Sequence, residues 1–109
     1  MANKAAIDFG NSNTVLAEWD EKAGQAKVLS IPEFSPPGSF VIPSLISYEP
    51  DGRFFIGEQT RTKASPESKL FRWMKRYIGL RSPYSLRVGG ERIDARRAAG
   101  DFQIGRAHV

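Results

Sequence analysis

The first candidate for chemistry in this chain is a carboxylate followed by a glycine and three short polar residues, in the stretch AAIDFGNSNTVLAEW. Asp8 comes near the end of a short apolar run, and a carboxylate in a buried strand needs a partner such as hydrated Mg²⁺. Gly10 lets the backbone approach a ligand closely. The N–H groups of Asn11, Ser12 and Asn13 can then form a concave donor site for phosphate oxygens. The pattern indicates a metal-dependent phosphate site, and an ordinary hairpin with an Asn-rich turn is the alternative.

The second candidate is Lys75, which lies in the basic segment SPESKLFRWMKRYIG. A lysine close to a terminal phosphate stabilises the negative charge that develops there during transfer to water. A lysine on a basic helix is more commonly a solvated surface residue, which is the alternative interpretation. Lys75 by itself therefore does not identify a reaction.

Composition excludes several other kinds of site. The chain has 109 residues, no cysteine and a single histidine, His108, so thiol catalysis, zinc–thiolate sites and a Ser-His-Asp triad are not supported. Neither a G-x-x-x-x-G-K-S/T loop nor a G-x-G-x-x-G motif is present, which argues against P-loop and Rossmann enzymes. Lys and Arg total 16 against 12 Asp and Glu, and the modest net charge of +4 suits an anionic partner such as a nucleotide, a nucleic acid or a lipid surface.

The elements that would position these residues follow from turn signals and apolar patterns. Strand-like segments are separated by turn sequences at several places, which predicts antiparallel hairpins. The first hairpin consists of 4–9 and 14–19 on either side of the tight turn 10–13, and 26–31 is expected to be a third strand beside it. A second hairpin joins 41–48 to 53–57 through EPDG, and a third is centred on Gly89-Gly90. Because residues 4–9 are almost all apolar, the first strand is expected to be buried. Segment 32–40 is rich in Pro, Ser and Gly and is expected to be an irregular loop.

The clearest helix signal covers 65–79. Ser65 is a suitable N-cap, Pro66 fits the first helical position, and Gly79 is a suitable stop. On this helix the apolar residues would share one face, namely Leu70, Phe71, Met74, Tyr77 and Ile78. Lys75 would lie at the rim of that face, where a long side chain can place its ammonium group in an adjoining cleft.

A second helix is expected to open at 94–102, with Asp94 as its cap, and to remain incomplete. No apolar run approaches the roughly 20 residues that are needed to span a bilayer. The first residues also lack the pattern of a secretory signal. We therefore expect a cytoplasmic protein without a membrane partner.

Four motifs resemble, in order and spacing, the first part of the ATPase domain of DnaK-type, seventy-kilodalton heat-shock chaperones. They are IDFGNSNT (7–14), VIPSLISY (41–48), DGRFFIGEQ (51–59) and SPESKLFRWMKRYIG (65–79). The wider kinship is the actin-like ATPase superfamily, which includes sugar kinases. The resemblance implies an α/β fold, a truncated actin-like (ribonuclease H-like) lobe whose mixed sheet carries antiparallel hairpins, with a helix at about 65–79.

The resemblance also implies a role for each candidate residue. Asp8 matches the aspartate that acts on the magnesium of the nucleotide through water. The first phosphate loop matches the residues Gly10, Asn11, Ser12 and Asn13. Lys75 matches the lysine that positions and activates the attacking water at the terminal phosphate. The family has two threonines where this chain has Asn11 and Ser12, a change that removes one hydroxyl and bears on the hydrolysis rate.

The implied cofactors are ATP or ADP with Mg²⁺, and the implied activity of the intact parent is ATP hydrolysis that drives protein folding. In the family, a second phosphate loop, the adenosine pocket and the peptide-binding domain come from later sequence. This fragment alone is therefore expected to be inactive. Unfolded client proteins and co-chaperones are expected to bind through parts of the parent that lie outside it.

The last six residues, IGRAHV, depart from the helix with which the family continues. Reverse translation offers a reason, because the string ATC GGA AGA GCA CAC GTC encodes this hexapeptide and resembles read-through into a common sequencing adapter. We therefore expect residues 1–103 to be a fragment of the ATPase domain and residues 104–109 to be a non-native tail.

Two other classes of protein fit part of the sequence. Another actin-like ATPase or a sugar kinase would share the first motif, although the match at 65–79 argues against both. A small basic nucleic-acid-binding domain would use the cations and the tryptophan of Lys69, Arg72, Trp73, Lys75, Arg76, Arg96 and Arg97. We favour a solvated basic face over a nucleic-acid partner.

Overall fold

The computed structural model describes residues 5–80 and 84–107 as a mixed α/β chain with antiparallel sheets. Within these residues, nine strands and three helices are present. The strands are β1 (Ala5–Phe9), β2 (Asn13–Asp20), β3 (Gln25–Val28), β4 (Val41–Pro43), β5 (Leu45–Tyr48), β6 (Phe54–Ile56), β7 (Lys69–Arg72), β8 (Ser85–Val88) and β9 (Glu91–Asp94). The helices are α1 (Gln59–Thr62), α2 (Met74–Leu80) and α3 (Ala95–Ala107). No helix in this part of the chain is long and apolar enough to cross a membrane.

The first sheet contains the predicted β1–β2–β3 arrangement. β1 pairs with β2 in antiparallel register, so that Phe9 faces Thr14 across the turn, and β2 pairs with β3. β4 also pairs with β2, at the end next to the turn. The prediction of three antiparallel strands is thus confirmed from Ala5 onward, except that the third strand ends at Val28 and not at Ile31. Lys4 lies outside the described residues.

The prediction that the first strand is buried is wrong. The side chains of 5–8 are exposed, and Phe9 is half-buried. Phe9 stacks on Phe102 of α3, with ring centroids 5.6 Å apart. Because successive side chains of a strand alternate between its two faces, Asp8 lies on the face opposite to Phe9. α3 covers the Phe9 side of the hairpin, so the carboxylate of Asp8 is left in contact with solvent.

The strand predicted over 41–48 is divided at Ser44. β4 ends at Pro43, which has no N–H group to donate to a strand ladder, and belongs to the first sheet. β5 begins at Leu45 and is the central strand of a second sheet with the order β6–β5–β7. The predicted β5–β6 hairpin around EPDG is confirmed.

The predicted helix over 65–79 is wrong in its first half. Residues Lys69–Arg72 form β7, which pairs with β5 so that Phe71 faces Ile46. Only α2, which follows, is helical. Trp73 separates the two elements. Its φ angle of 58° lies in the left-handed region, which residues other than glycine seldom adopt. Phe71 and Ile46 are both fully buried, and this non-local pairing outweighs the local helix preference.

The residues that were expected on the apolar helix face nevertheless enter the core. Phe71 and Met74 are fully buried. Tyr77 and Ile78 pack against the core, and Leu70 is half-buried. The apolar pattern therefore identified the residues that contribute to the core, although two of the five, Leu70 and Phe71, lie on a strand.

Ser65, which was predicted to cap that helix, instead binds Glu49. The Ser65 N–H group donates to Glu49 Oε1 at 2.9 Å, and its Oγ donates to Glu49 Oε2 at 2.5 Å. Glu49 is buried and follows β5 directly. The pair ties the turn after β5 to the segment that leads into β7.

The third predicted hairpin, β8–β9 around its Gly-Gly turn, is confirmed. α3 starts directly after Asp94, whose Oδ1 accepts a hydrogen bond from the Arg97 N–H group at 2.9 Å, as in a helix N-cap. The helix extends to Ala107, beyond the predicted range 94–102. It includes residues 104–107 of the expected tail, while His108 lies outside the described residues.

One hydrophobic core joins these elements. Its buried members are Phe34, Ile42, Ile46, Tyr48, Ile56, Phe71, Met74, Val88, Ile93, Ala95, Ala98, Ala99 and Phe102. α3 contacts Phe9 of the first sheet through Phe102, and it also contacts β5, β6 and α2. This helix therefore fixes the hairpin that carries Asp8 relative to the elements that lead to Lys75.

Candidate functional site at the turn between β1 and β2

The turn between β1 and β2 is closed by its own backbone and open to solvent. The Gly10 N–H group donates to the Asn13 carbonyl at 2.9 Å. A Cβ atom at position 10 would lie 2.7 Å from that same oxygen, so the closed turn requires glycine there. Asn11, Ser12 and Asn13 are all exposed. A ligand can therefore reach Asn11, Ser12 and Asn13, three of the four residues of the predicted phosphate loop.

Two backbone donors of this turn are unpaired. Among the residues that the structure describes, the N–H groups of Asn11 and Ser12 form no hydrogen bond. Successive unpaired N–H groups in a turn are the donors that bind phosphate oxygens in protein anion sites. Their carboxamide and hydroxyl side chains add further donors. The turn has the chemistry of an anion site.

The turn is also fixed from the opposite side by Ser44. Its N–H group donates to the Ser12 carbonyl at 2.9 Å. Its Oγ lies 2.8 Å from Thr14 Oγ1, and both side chains are buried. Sequence reasoning missed this pair. The pairing of these two hydroxyl groups depends on how β4 meets β2, and no local pattern in the sequence reports it.

Asp8 lies two positions before Gly10, on the exposed face of β1. Its carboxylate forms no ion pair or hydrogen bond with the described side chains. In 5–80 and 84–107 no group of three or more acidic, histidine or cysteine side chains could hold a metal ion. Nucleotide-bound Mg²⁺ keeps several waters and uses only one or two carboxylates. A lone exposed carboxylate beside a turn with unpaired N–H donors fits that water-mediated role and does not fit a metal site built entirely from protein ligands.

Lys75 is the second residue of α2, and its side chain is exposed. Lys69, Arg72 and Arg76 are exposed as well, so this segment concentrates positive charge. The guanidinium of Arg72 lies 5.6 Å from the centre of the Trp73 ring. Within the described residues, no hydrogen bond or ion pair joins Lys75 to the β1–β2 turn. Asp8 and the turn are thus brought together on one hairpin, whereas Lys75 lies on a separate element.

Apart from the β1–β2 turn, the structure contains a cavity that the sequence did not indicate. A cavity of about 510 Å³ lies between the turn after β5, the tip of the β8–β9 hairpin and α3. In its lining, Arg97 pairs with Glu91 at 2.7 Å, and this bond, with the nearby Asp101, raises the pKa of Arg97. Burial raises the pKa of Tyr48 far above its usual range, and its hydrogen bond to Asp101 at 2.7 Å raises the pKa further. These charges already neutralise one another, which also weakens the case for Arg97 as a nucleic-acid contact.

Comparison with known proteins gives one partial similarity. No family model matches this chain. The chain is similar to the chaperone protein DnaK of Elusimicrobium minutum, with 33% identity over 89 residues. The aligned region covers 80% of this chain and 14% of that relative. The chain therefore spans a small part of the length of the protein that it matches.

Proposed function

We propose that this chain is the first part of the ATPase domain of a DnaK-type chaperone, in whose intact parent ATP binding and hydrolysis drive protein folding. The observation that carries the proposal is the β1–β2 turn. There, the N–H groups of Asn11 and Ser12 have no acceptor in the described part of the chain and lie close in sequence to the exposed Asp8. The partial similarity to a chaperone protein DnaK supports the same proposal. An actin-like, ribonuclease H-like fold of the complete domain and a cytoplasmic location belong to it.

In this proposal the turn binds the phosphates of ATP or ADP. Gly10 keeps the turn closed, and Asn11, Ser12 and Asn13 supply the donors. The amide side chain of Asn11 can donate a hydrogen bond to a phosphate oxygen, as a hydroxyl group does. Unlike a hydroxyl group, it cannot turn one proton from one acceptor to another. We therefore expect phosphate binding to persist with Asn11 and Ser12 in place of two threonines.

Asp8 would hold the magnesium of the nucleotide through water. When bound, Mg²⁺ neutralises charge on the phosphate oxygens and orients them for displacement. The exposure of Asp8 leaves room for the water molecules between carboxylate and metal. The proposed role is to increase the affinity of the turn for the metal-bound nucleotide.

Lys75 would act at the terminal phosphate of the complete site. Its ammonium group orients the attacking water and stabilises charge that is larger in the transition state than in bound ATP. The side chain is free to reorient because no described side chain is paired with it. Lys75 is therefore proposed to contribute to hydrolysis more than to nucleotide affinity.

This chain supplies only part of the proposed site. The second phosphate loop and the adenosine pocket are expected in later parts of the parent, and so are the surfaces for unfolded clients and co-chaperones. Binding of the nucleotide to this chain should accordingly be weak and limited to the phosphates. Hydrolysis by this chain alone is not expected.

The proposal is tested by substitution of the proposed metal-facing carboxylate. The backbone amide NMR signals of Asn11 and Ser12 are followed during titration with ATP, once with Mg²⁺ and once with a chelator. We expect saturable shifts that need roughly tenfold less ATP when Mg²⁺ is present, which corresponds to about 1.4 kcal/mol. Asp8→Asn should remove most of that magnesium dependence.

Glu21→Gln is the matched control, because it removes one negative charge from an exposed position in the next turn. This control should leave the magnesium dependence unchanged. If the turn amides do not shift with ATP, the proposal is wrong. If Asp8→Asn and Glu21→Gln behave alike, the assignment of Asp8 is wrong.

A further inference from the structure

Two buried hydroxyl groups meet directly beneath the proposed phosphate turn. Thr14 is fully buried, Ser44 is 1% exposed, and their oxygens are 2.8 Å apart. A buried hydroxyl without a partner costs free energy, so each of these groups satisfies the other. Thr14 is paired with Phe9 across the end of the hairpin and lies immediately after the residues of the turn. The hydroxyl pair is therefore placed where it can control the geometry of the turn without touching a ligand.

The backbone of Ser44 provides a second bond to the same turn. Its N–H group donates to the Ser12 carbonyl at 2.9 Å. Pro43, the preceding residue, lies opposite Asn13 in the ladder between β4 and β2. Ser44 thus contacts the turn through its backbone and contacts β2 through its side chain. The carbonyl of Ser12 is engaged on the protein side, while its N–H group has no partner among the described residues.

Ser44 is also the point where the chain passes from the first sheet to the second. Leu45, the next residue, starts β5 and lies opposite Arg72, the last residue of β7. Trp73 and then α2 with Lys75 follow directly. A short covalent and hydrogen-bonded path therefore runs from the turn through Ser44 to the element that carries Lys75.

We propose that Ser44 and Thr14 are positioning residues, whose hydroxyl pair holds the free N–H groups of the turn in the arrangement that binds phosphate. This inference rests on the proposed function for its ligand, but its structural content concerns the turn alone. Neither side chain contacts the ligand. Loss of the pair should loosen the turn locally and weaken phosphate binding by the same process.

The first measurement is amide hydrogen exchange of the full chain without nucleotide. In Ser44→Ala the amide of residue 44 should exchange roughly tenfold faster than in the unchanged chain, because its bond to Ser12 opens more often. Amides of the β8–β9 hairpin, which is remote from the turn, should keep their exchange rates. A general loss of stability would accelerate exchange in both regions.

Ser47→Ala is the matched control. Ser47 is also 1% exposed and lies in the adjacent strand, but its Oγ has no hydrogen-bond partner in the part of the chain that the structure describes. The chemical change is identical, while the removed group is unpaired. Exchange at residue 44 should not change in this variant. Equal acceleration in Ser44→Ala and Ser47→Ala would overturn the inference.

Substitutions at Thr14 test the same hydroxyl pair from its other side, so the result does not depend on whether Ser44→Ala folds normally. Thr14→Ser retains the hydroxyl and should keep slow exchange at residue 44. Thr14→Val retains the shape, removes the hydroxyl and should match Ser44→Ala. Fast exchange in Thr14→Ser together with slow exchange in Thr14→Val would also contradict the proposal.

A titration with inorganic phosphate and with ATP plus Mg²⁺ separates this inference from the proposed function. If the unchanged chain binds both probes and Ser44→Ala binds them roughly tenfold more weakly than Ser47→Ala, both ideas are supported. If the unchanged chain binds neither probe, the proposed function and the ligand role of the hydroxyl pair are both overturned, whatever the exchange rates show. If binding is normal in Ser44→Ala although exchange is faster, the proposed function survives and the positioning role is overturned.

Discussion

Gly10 is the residue of the turn with the strictest steric requirement. Its N–H group closes the turn on the Asn13 carbonyl, and the position of that carbonyl leaves no room for a Cβ atom. The requirement for glycine comes from the close approach of the Asn13 carbonyl to Gly10 within the hairpin. It applies whether or not a ligand is present, so it can be measured on the chain alone.

Gly10→Ala should destabilise the chain by about 1–3 kcal/mol, because the added methyl group forces the turn open or the strand ends apart. Urea unfolding followed by circular dichroism measures this change. Gly100→Ala is the control, because Gly100 lies in α3. Apart from the chain neighbours and the backbone of α3 itself, no described atom contacts the added Cβ, so the variant should gain about 0.5–1 kcal/mol from helix propensity. Equal stability of Gly10→Ala and the unchanged chain would show that the turn does not close as described.

Lys75 tests the proposed chemistry at the level of one residue. If the proposed parent ATPase is correct, Lys75→Ala in that protein should lower the rate of ATP hydrolysis by roughly 100-fold while the nucleotide affinity stays nearly the same, because the proposed role of the ammonium group is at the transition state. Single-turnover hydrolysis and equilibrium nucleotide binding are measured on the same variant. Lys22→Ala removes an exposed lysine from the turn between β2 and β3 and should change neither quantity. A normal hydrolysis rate in Lys75→Ala would refute the assigned role.

The elements show how Glu49 and Ser65 join the second sheet to the segment before β7. Glu49 accepts two hydrogen bonds from Ser65, one from its side chain and one from its backbone. These bonds favour the ionised carboxylate, and they lower the pKa of Glu49 below its ordinary value. A group whose pKa is lowered by folding stabilises the folded state above its unfolded pKa, and this stabilisation is lost as the pH falls through the folded pKa.

The chain should therefore lose stability on acidification below pH 4.5, the ordinary value for Glu49, and Ser65→Ala should reduce that loss. Urea unfolding between about pH 7 and about pH 3 measures the pH dependence. Ser68→Ala serves as the control, because the Ser68 side chain is close in sequence and forms no hydrogen bond with the described residues. An identical pH dependence in all three proteins would contradict the role of the Glu49–Ser65 pair.

The elements also show which part of the structure was accessible from the sequence. The hairpins were predicted correctly because their turns carry local signals in glycine, asparagine and aspartate residues. The same holds for Asp94, whose capping role depends only on residues that follow it. β7 was mistaken for helix because Phe71 pairs with Ile46, a residue far away in the sequence, and no local pattern reports such a pairing.

In the candidate site, too, some features could be predicted from local sequence and others depend on tertiary packing. The turn residues and Gly10 follow from residue type and order, since a hairpin turn is a local structure. The exposure of Asp8 depends on which face of the hairpin α3 covers, and the Thr14–Ser44 pair depends on how β4 meets β2. These two features are tertiary, and the sequence of one chain does not contain them as a pattern.

At the scale of the whole molecule, the first sheet extends away from the common core. The radius of gyration is 15.0 Å, compared with about 13 Å for a typical compact domain of this length. All residues of β3 are exposed, as is Trp19 at the far end of β2. The hairpin therefore depends on α3 and β4 for its anchoring, and the candidate turn lies at the anchored end.

The position of the two tryptophans gives the molecule its own optical reporter. Trp73 is 41% exposed, lies beside the Arg72 guanidinium and connects β7 to the helix that carries Lys75. Trp19, at 43% exposure, lies far from the turn at the other end of β2. With Trp19 replaced by phenylalanine, the remaining indole emission comes from Trp73 alone and reports the surroundings of that side chain. Rearrangement of this junction could then be followed as a change in fluorescence, without an attached dye.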